Sequence, residues 1–215
     1  EMTSSLVGSE MCIRDRLKDV IRTGWKVWNV ERERLESVAE HIFGVQMLAI
    51  AMKSEYEYDI DIKKTIFMLA IHELGETIIG DLTQFQISHE EKEKQEHEAV
   101  ANILRGLIDG KQIEELFLEF DAHQTKEAMF AYQCDKLECD LQCKLYDEEG
   151  CVELEKQIKK VKTNEEKAAL VWLFIRKRSE DKSDIAQKLL SKINKESGFV
   201  VPEYIKRAII HVTSR

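Results

Sequence analysis

The sequence predicts an all-α fold, a compact bundle of helices. The chain has 215 residues, of which 43% are hydrophobic and 34% are charged, a balance typical of a globular protein that buries one substantial core. It contains a single proline, Pro202, and only nine glycines. These are too few for a β-sandwich or barrel, whose chain must turn about every ten residues. Long helices joined by short loops fit this composition.

Apolar residues recur at helical spacing through the N-terminal half of the chain. The first pattern predicts a helix over about residues 37–54. Ser37 can cap its start, because Glu40 follows three residues later in a capping-box arrangement. A second pattern predicts a helix from about residue 62 to Gly80, whose freedom to adopt positive φ suits a helix end.

The C-terminal half shows the same helical spacing. A helix over residues 88–107 begins in a densely charged run, which is interpreted as a solvated surface without function, and a short segment follows at 111–119. Residues 125–147 predict a long helix with one apolar face, formed by Phe130, Cys134, Leu137, Leu141 and Leu145. Further helices are expected at residues 150–162, 164–178, 181–195 and 202–213.

The charge balance limits the partners that the protein can bind. Asp and Glu total 41 against 32 Lys and Arg, a formal net charge of -9, and no basic stripe interleaved with aromatic residues occurs. This disfavours polymeric nucleic acid as a partner. A small anionic substrate is compatible with the acidic chain, because a bound divalent cation and one or two basic residues can invert the field inside a pocket.

Cysteine usage and hydropathy predict a cytoplasmic location. The five cysteines are interpreted as small buried apolar residues in a reducing compartment. No apolar run is long enough to span a bilayer and no signal peptide precedes the first charged helix, so no membrane partner is expected. Residues 1–16 lack periodicity and are interpreted as a non-native or disordered N-terminal extension.

Several ionisable residues fall on faces that are otherwise apolar. His41 shares a helical stripe with Val38 and Val45, and His72 and Glu76 share the stripe of the next helix. These groups should be buried or half-buried. Burial of an imidazole or a carboxylate without a partner costs several kcal/mol, and mutual pairing or a metal ion is the usual remedy.

Four of the ionisable residues form a candidate metal-ligand set: His41, the adjacent His72 and Glu73, and Asp135. Two imidazoles and two carboxylates suit a divalent transition metal, with positions left for water and substrate. The five-residue segment that begins at His72 starts like the H-E-x-x-H motif of zinc proteases. Its fifth position is Glu76 rather than histidine, so a metalloprotease is not expected.

These residues and the words around them resemble the HD superfamily of metal-dependent phosphohydrolases, and in particular its 5'-deoxynucleotidase branch. The resemblance covers roughly residues 17–147. The matching segments are Ile21-Arg22-Thr23-Gly24-Trp25, Asn29-Val30, Glu36-Ser37-Val38-Ala39-Glu40-His41, His72-Glu73-Leu74-Gly75-Glu76, Gly80-Asp81-Leu82-Thr83 and Asp135-Lys136-Leu137-Glu138.

The resemblance implies a function, a cofactor and a role for each matching residue. It implies removal of the 5'-phosphate from deoxynucleoside monophosphates, with one divalent metal ion (Mn, Co or another transition metal, or Mg) held by His41, His72, Glu73 and Asp135. It places Arg22 and Trp25 near the phosphate and sugar, Glu76 beside the reacting water, and Asp81 at the 3'-hydroxyl. A homodimer is implied as well.

The resemblance also implies a domain organisation. Residues 17–150 would form the HD phosphohydrolase core, a compact helical HD-domain bundle, and residues 151–215 would add C-terminal helices that pack on it.

One position departs from the family pattern and keeps two alternatives open. The family doublet is His-Asp, whereas Glu73 adds a methylene and displaces its oxygens by roughly 1.5 Å unless the backbone adjusts. An HD hydrolase acting on another nucleotide remains an alternative, and so does a catalytically impaired metal- or nucleotide-binding regulator. Metal-dependent turnover separates the regulator from both enzymes.

Overall fold

The computed structural model describes residues 15–83 and 86–152. This part of the chain is helical and contains no β-strand, which confirms the all-α prediction. Its helices in chain order are α1 (Thr23–Val27), α2 (Val38–Glu55), α3 (Ile62–Ile71), α4 (Glu76–Ile79), α5 (His89–Leu104), α6 (Gly110–Ala122) and α7 (Lys126–Glu148). The C-terminal helices predicted beyond residue 152 and nearly all of the predicted N-terminal extension lie outside the described residues.

The chain divides into two units, each described by itself. Of the described residues, 15–23, 36–83 and 86–139 form the first, and 24–35 and 140–152 form the second. In the first unit, α2 packs against α3, α3 against α6, and α5 against both α4 and α6. The main core is made of Val45, Ala49, Met68, Leu69, Phe120, Ala128, Phe130, Ala131 and Cys134. A smaller cluster contains Leu74, Val100, Leu104 and Phe117.

The start of α2 is fixed by the predicted capping box. The Glu40 backbone N–H donates to Ser37 Oγ at 3.3 Å, and the Ser37 backbone N–H donates to Glu40 Oε2 at 2.9 Å. The segment that contains Arg22 is bonded to the chain next to this cap, because the Arg22 backbone N–H donates to the Glu36 carbonyl at 3.0 Å. The cap therefore holds α2 and Arg22 next to each other.

The single helix predicted over residues 62–80 is wrong. Helix α3 ends at Ile71, a tight turn spans residues 72–75, and the short α4 follows before Gly80, which adopts a φ of +76°. Gly75 explains the interruption: a Cβ at this position would lie 3.1 Å from the backbone of Glu96 on α5. The turn is thus shaped by a close approach of two segments, and glycine also disfavours a continuous helix.

The apolar face predicted for α7 is wrong in its second half. Leu141 and Leu145 are 48% and 43% exposed. The helix instead buries Asp135 and Glu138, together with Cys139. The two carboxylates turn inward because both contact His41, so polar pairing decides which face of the helix is covered. The cysteines at 134, 139 and 143 are buried, as expected of small apolar residues.

The second unit has an aromatic cluster in its described part. Trp25 packs edge to face against Trp28 and Tyr146, with ring centroids 5.0 and 5.1 Å apart. Arg32 lies over the Tyr146 ring at 5.4 Å. Among the residues described in either unit, no helix has the length and hydropathy needed to cross a membrane.

Candidate metal centre

Four side chains of the first unit converge on one point. His41 comes from α2, His72 and Glu73 from the turn after α3, and Asp135 from α7. One nitrogen or oxygen atom of each lies within 4.8 Å of the corresponding atom of the others. The structure therefore brings together the four residues that the sequence nominated as ligands.

The distances within this cluster define its shape. His41 Nε2 lies 3.0 Å from Asp135 Oδ1 and 3.9 Å from Glu73 Oε1. His72 Nε2 lies 3.7 Å from Glu73 Oε1 and 4.0 Å from Asp135 Oδ1. Two imidazole nitrogens thus face the same two carboxylate oxygens.

The second polar atom of three of these side chains contacts a group outside the cluster. His41 Nδ1 lies 2.5 Å from Glu138 Oε2, and Lys136 Nζ donates to Asp135 Oδ2 at 2.8 Å. His72 Nδ1 lies 2.8 Å from the Leu69 carbonyl, to which it can only donate. These contacts orient the remaining nitrogen or oxygen of each side chain toward the cluster.

The environment of the His72 ring indicates that a cation fits this set of donor atoms. The Nε2 atom of this buried ring has no hydrogen-bond partner among the described residues. Because Nδ1 donates to a carbonyl, Nε2 of the neutral ring carries a lone pair, and that lone pair faces two carboxylate oxygens. A divalent cation would satisfy all three groups, and a mixed nitrogen and oxygen set suits transition metals.

Electrostatics differ sharply between the members of the cluster. Burial and Arg22 lower the pKa of His41, but hydrogen bonds with Asp135 and Glu138 outweigh them and raise it to about 9. Burial dominates at His72 and lowers its pKa. Burial opposes ionisation of Glu73, yet neighbouring positive charges, that of His72 when it is protonated and that of Arg22, lower its pKa. The site is therefore rich in fixed negative charge.

Glu73 reaches the cluster although the resemblance predicted a shorter aspartate. Adjacent residues of a regular helix project about 100° apart, so two neighbours rarely reach one point. Here the pair lies in the turn at residues 72–75, and the longer side chain spans the remaining distance. Glu73 Oε1 also accepts a hydrogen bond from Arg22 Nη1 at 3.1 Å.

Glu76 lies one turn beyond His72, with its side chain 1% exposed. Its Oε1 atom is 3.2 Å from Lys92 Nζ, and its Oε2 atom is buried without a hydrogen-bond partner among the described residues. Burial, Glu73 and Asp81 raise the pKa of Glu76 well above its usual range, against the opposing charge of Lys92. A buried carboxylate with a raised pKa is suited to accept a proton.

Asp81 joins the loop after α4 to the segment that carries Arg22. Its Oδ2 atom accepts a hydrogen bond from the Thr23 backbone N–H at 2.5 Å. Asp81 and Glu73 together raise the pKa of Arg22 well above its usual value, although burial alone would lower it. Trp25 belongs to the second unit, where it is 1% exposed, and its role in substrate binding stays a prediction.

Sequence reasoning missed two residues that contact this site. Lys92 was assigned to a solvated charge run, yet it pairs with Glu76 and, at 3.3 Å, with Glu96. The signal was its spacing, because Lys92 precedes the buried Ala99 and Val100 by seven and eight residues and so shares their helix face. Glu138 follows Asp135 by three residues and shares its face for the same reason.

Comparisons with known proteins identify a matching family model and similar proteins. A family model described as "HD domain" matches residues 14–171. The chain is 33% identical to 5'-deoxynucleotidase hdd1 of Schizosaccharomyces pombe over 130 residues, 57% of this chain and 63% of that protein. The alignment thus spans less than two thirds of that relative. The chain is 35% identical to 5'-deoxynucleotidase HDDC2 of Dictyostelium discoideum over 153 residues, 67% of this chain and 78% of that protein.

A solved structure shares the fold. The crystal structure of the PH0347 protein from Pyrococcus horikoshii OT3 superposes with a TM-score of 0.58 at 25% sequence identity. The match covers 85% of this chain and 97% of that one. The overall fold therefore recurs in another protein.

Proposed function

We propose that this chain, which belongs to the HD domain family, is a metal-dependent phosphohydrolase that removes the 5'-phosphate from deoxynucleoside monophosphates. The observation that carries the proposal is the convergence of His41, His72, Glu73 and Asp135 within 4.8 Å, with a buried imidazole nitrogen left unpartnered among the described residues. The similarity to proteins named 5'-deoxynucleotidase supports the choice of substrate.

The four converging residues would hold one divalent ion. Mn²⁺ or Co²⁺ suits two imidazoles and two carboxylates, and Mg²⁺ is a further candidate. The ion would supply Lewis acidity toward the phosphate group and toward water. The protein's own contribution is to fix the ligand atoms from outside, through Glu138, the Leu69 carbonyl and Lys136.

Two residues beside the cluster act on the reacting groups. Arg22 lies against Glu73 and offers a planar guanidinium that can bind phosphate oxygens in pairs. Glu76 orients the attacking water and accepts its proton, for which its burial and its raised pKa prepare it. Lys92 offsets the negative charge that gathers around Glu76.

Asp81 would contribute to sugar selection. A carboxylate that accepts a hydrogen bond from the 3'-hydroxyl fixes the position of the sugar ring. An added 2'-hydroxyl then needs space and a hydrogen-bond partner of its own. A hydroxyl left buried without one costs about 1–3 kcal/mol, or roughly five- to 150-fold in kcat/KM. Asp81 also holds the Thr23 backbone, so it aligns the segment that carries Arg22.

The test is a phosphate-release screen of ribo- and deoxynucleoside monophosphates, with Mn²⁺, Co²⁺, Mg²⁺ and Zn²⁺ supplied separately. The proposal predicts turnover that favours dAMP over AMP by roughly five- to 150-fold, and a smaller preference in Asp81→Asn. Equal efficiency on dAMP and AMP would indicate an HD hydrolase with another nucleotide substrate. Stoichiometric metal binding without turnover of any nucleotide would indicate a regulator.

A further inference from the structure

We infer that Glu138 is a positioning residue of the metal centre, whose carboxylate holds His41 so that Nε2 faces the cluster and thereby sets the affinity for the ion. The inference rests on the proposed metal site and deepens it. Glu138 lies in one of the segments that carry the family resemblance, but neither the resemblance nor the pattern of ligands assigned it a role.

The contact between Glu138 and His41 is short and buried. Glu138 Oε2 lies 2.5 Å from His41 Nδ1, and the His41 side chain is fully buried. With Nδ1–H donating to this carboxylate, Nε2 is directed at the cluster, where Asp135 Oδ1 lies 3.0 Å away. A carboxylate behind a metal-binding imidazole fixes the tautomer and the ring orientation and makes the ring a stronger donor.

His72 provides an internal contrast. Its Nδ1 donates to the neutral carbonyl of Leu69 rather than to a charged group. The protein therefore gives the two imidazoles unequal support, and loss of Glu138 should weaken the His41 side alone. Glu36 also places a carboxylate oxygen within 4.8 Å of His41 and Glu138, but Glu138 is the carboxylate that accepts the hydrogen bond from Nδ1–H.

Gly44 supplies an independent observation. It lies within α2, three residues after His41, where glycine is less favourable than alanine. A Cβ at this position would lie 2.8 Å from Glu138 Oε1 and 3.4 Å from its Cδ and Cγ. Glycine thus leaves the space that the Glu138 carboxylate occupies on its way to His41.

The experiment measures Co²⁺ affinity by titration calorimetry on chelator-stripped full chain, with the visible absorption of bound Co²⁺ as a second readout. Glu138→Gln keeps the size of the side chain and removes its charge. It should weaken Co²⁺ binding by about ten- to 100-fold and shift the Co²⁺ spectrum. Gly44→Ala should weaken binding in the same direction, because its Cβ would displace the Glu138 carboxylate, and the higher helix propensity of alanine should offset part of the cost in stability.

The matched control is Glu127→Gln. Glu127 is a buried carboxylate on the same helix, 8% exposed, and it accepts a hydrogen bond from the Asp61 backbone N–H rather than from a cluster residue. Its Co²⁺ affinity and spectrum should stay at the wild-type values. If Glu138→Gln fails to fold, Gly44→Ala carries the test.

The outcomes separate this inference from the proposed function. Wild-type affinity in both Glu138→Gln and Gly44→Ala would overturn the positioning role while leaving a metal-binding, dAMP-hydrolysing wild type intact. An equal loss in Glu127→Gln would also overturn it, because any buried carboxylate would then have the same effect. A wild-type chain that binds no Co²⁺, Mn²⁺ or Mg²⁺ would overturn the proposed function and the inference with it.

Discussion

His41 and His72 face the same carboxylates but are prepared for a metal in different ways. His41 sits on the regular helix α2, and both of its ring nitrogens contact carboxylates, at 2.5 and 3.0 Å. His72 sits at the start of a tight turn, and its Nε2 has no hydrogen-bond partner among the described residues. The pKa of His41 is raised to about 9, whereas burial lowers the pKa of His72.

The two rings therefore differ in what satisfies their polar atoms: the protein itself at His41, and a bound ion at His72. His41 is oriented and charge-compensated by the protein alone. His72 is a neutral, buried ring, and only a cation or a proton would satisfy the lone pair of its Nε2 atom. One half of the cluster therefore contributes to folding without metal, and the other half gains its partner on binding.

The largest effect is expected from the removal of either imidazole. Wild-type protein should carry about one metal equivalent per chain, because four convergent ligands define one site. His41→Ala and His72→Ala should each lose stoichiometric metal, with affinity reduced more than about 100-fold. Elemental analysis after dialysis measures this, with His89→Ala, which removes an exposed ring outside the cluster, as the control. Unchanged metal content in His72→Ala would remove the central assignment.

Substitution of Glu76 tests the proton transfer proposed for the His72 side of the site. Glu76→Gln should lower phosphate release by about 10²- to 10⁴-fold, because the water then lacks its proton acceptor. Metal content should stay at one equivalent, since Glu76 is not among the four converging ligands. Kinetics with dAMP and elemental analysis of the same sample decide the point. Turnover at the wild-type rate would exclude Glu76 as the base.

Stability without metal separates the two imidazoles directly. At pH 7 the His41 ring is protonated in the metal-free protein, because its pKa is raised to about 9. His41→Ala leaves Asp135 and Glu138 buried without this partner and should lower the free energy of unfolding by about 3–5 kcal/mol. His72→Ala removes a neutral ring with one hydrogen bond and should cost about 1–2 kcal/mol.

Urea denaturation at pH 7 in excess chelator measures both free energies of unfolding. The comparison of the two rings depends on which variant, His41→Ala or His72→Ala, loses more free energy of unfolding. A loss in His72→Ala that equals or exceeds the loss in His41→Ala would show that the two rings are supported alike.

The smallest effect concerns the helix that carries His41. Ser37→Ala removes the capping interaction of α2 and should cost about 1 kcal/mol in the free energy of unfolding, with metal content unchanged. Ser88→Ala, which removes the equivalent contact to the Glu91 backbone at the start of α5, should cost a similar amount. Loss of metal in Ser37→Ala alone would mean that the cap, rather than Glu138, positions His41.

The sequence predicted the local features of this site well because local chemistry determines them. Ser37 and Glu40 define the start of α2 within four residues. His41 and His72 could be nominated because each places an imidazole on an apolar face, and Glu73 and Asp135 because they complete a mixed set of metal ligands. The structure brings the four together. Their role as ligands stays a proposal.

The features that the sequence could not predict depend on tertiary approach. The break at residues 72–75 follows from the contact of Gly75 with Glu96, which helical periodicity does not encode. Spacing places Lys92 on the buried face of α5, but its pairing with Glu76 depends on the packing of α5 against α4. The homodimer, the cytoplasmic location, the domain boundary at residue 150 and the role of Trp25 stay predictions.

The most direct test of the account is phosphate release from dAMP before and after removal of metal. Purified protein is dialysed against chelator, freed of chelator and assayed alone and with Mn²⁺ or Co²⁺ restored, beside His72→Ala treated in the same way. The account predicts that dAMP hydrolysis disappears with the metal, returns with the added ion in the wild type, and does not return in His72→Ala. Hydrolysis at the same rate in the metal-free wild type, or restored turnover in His72→Ala, would contradict it.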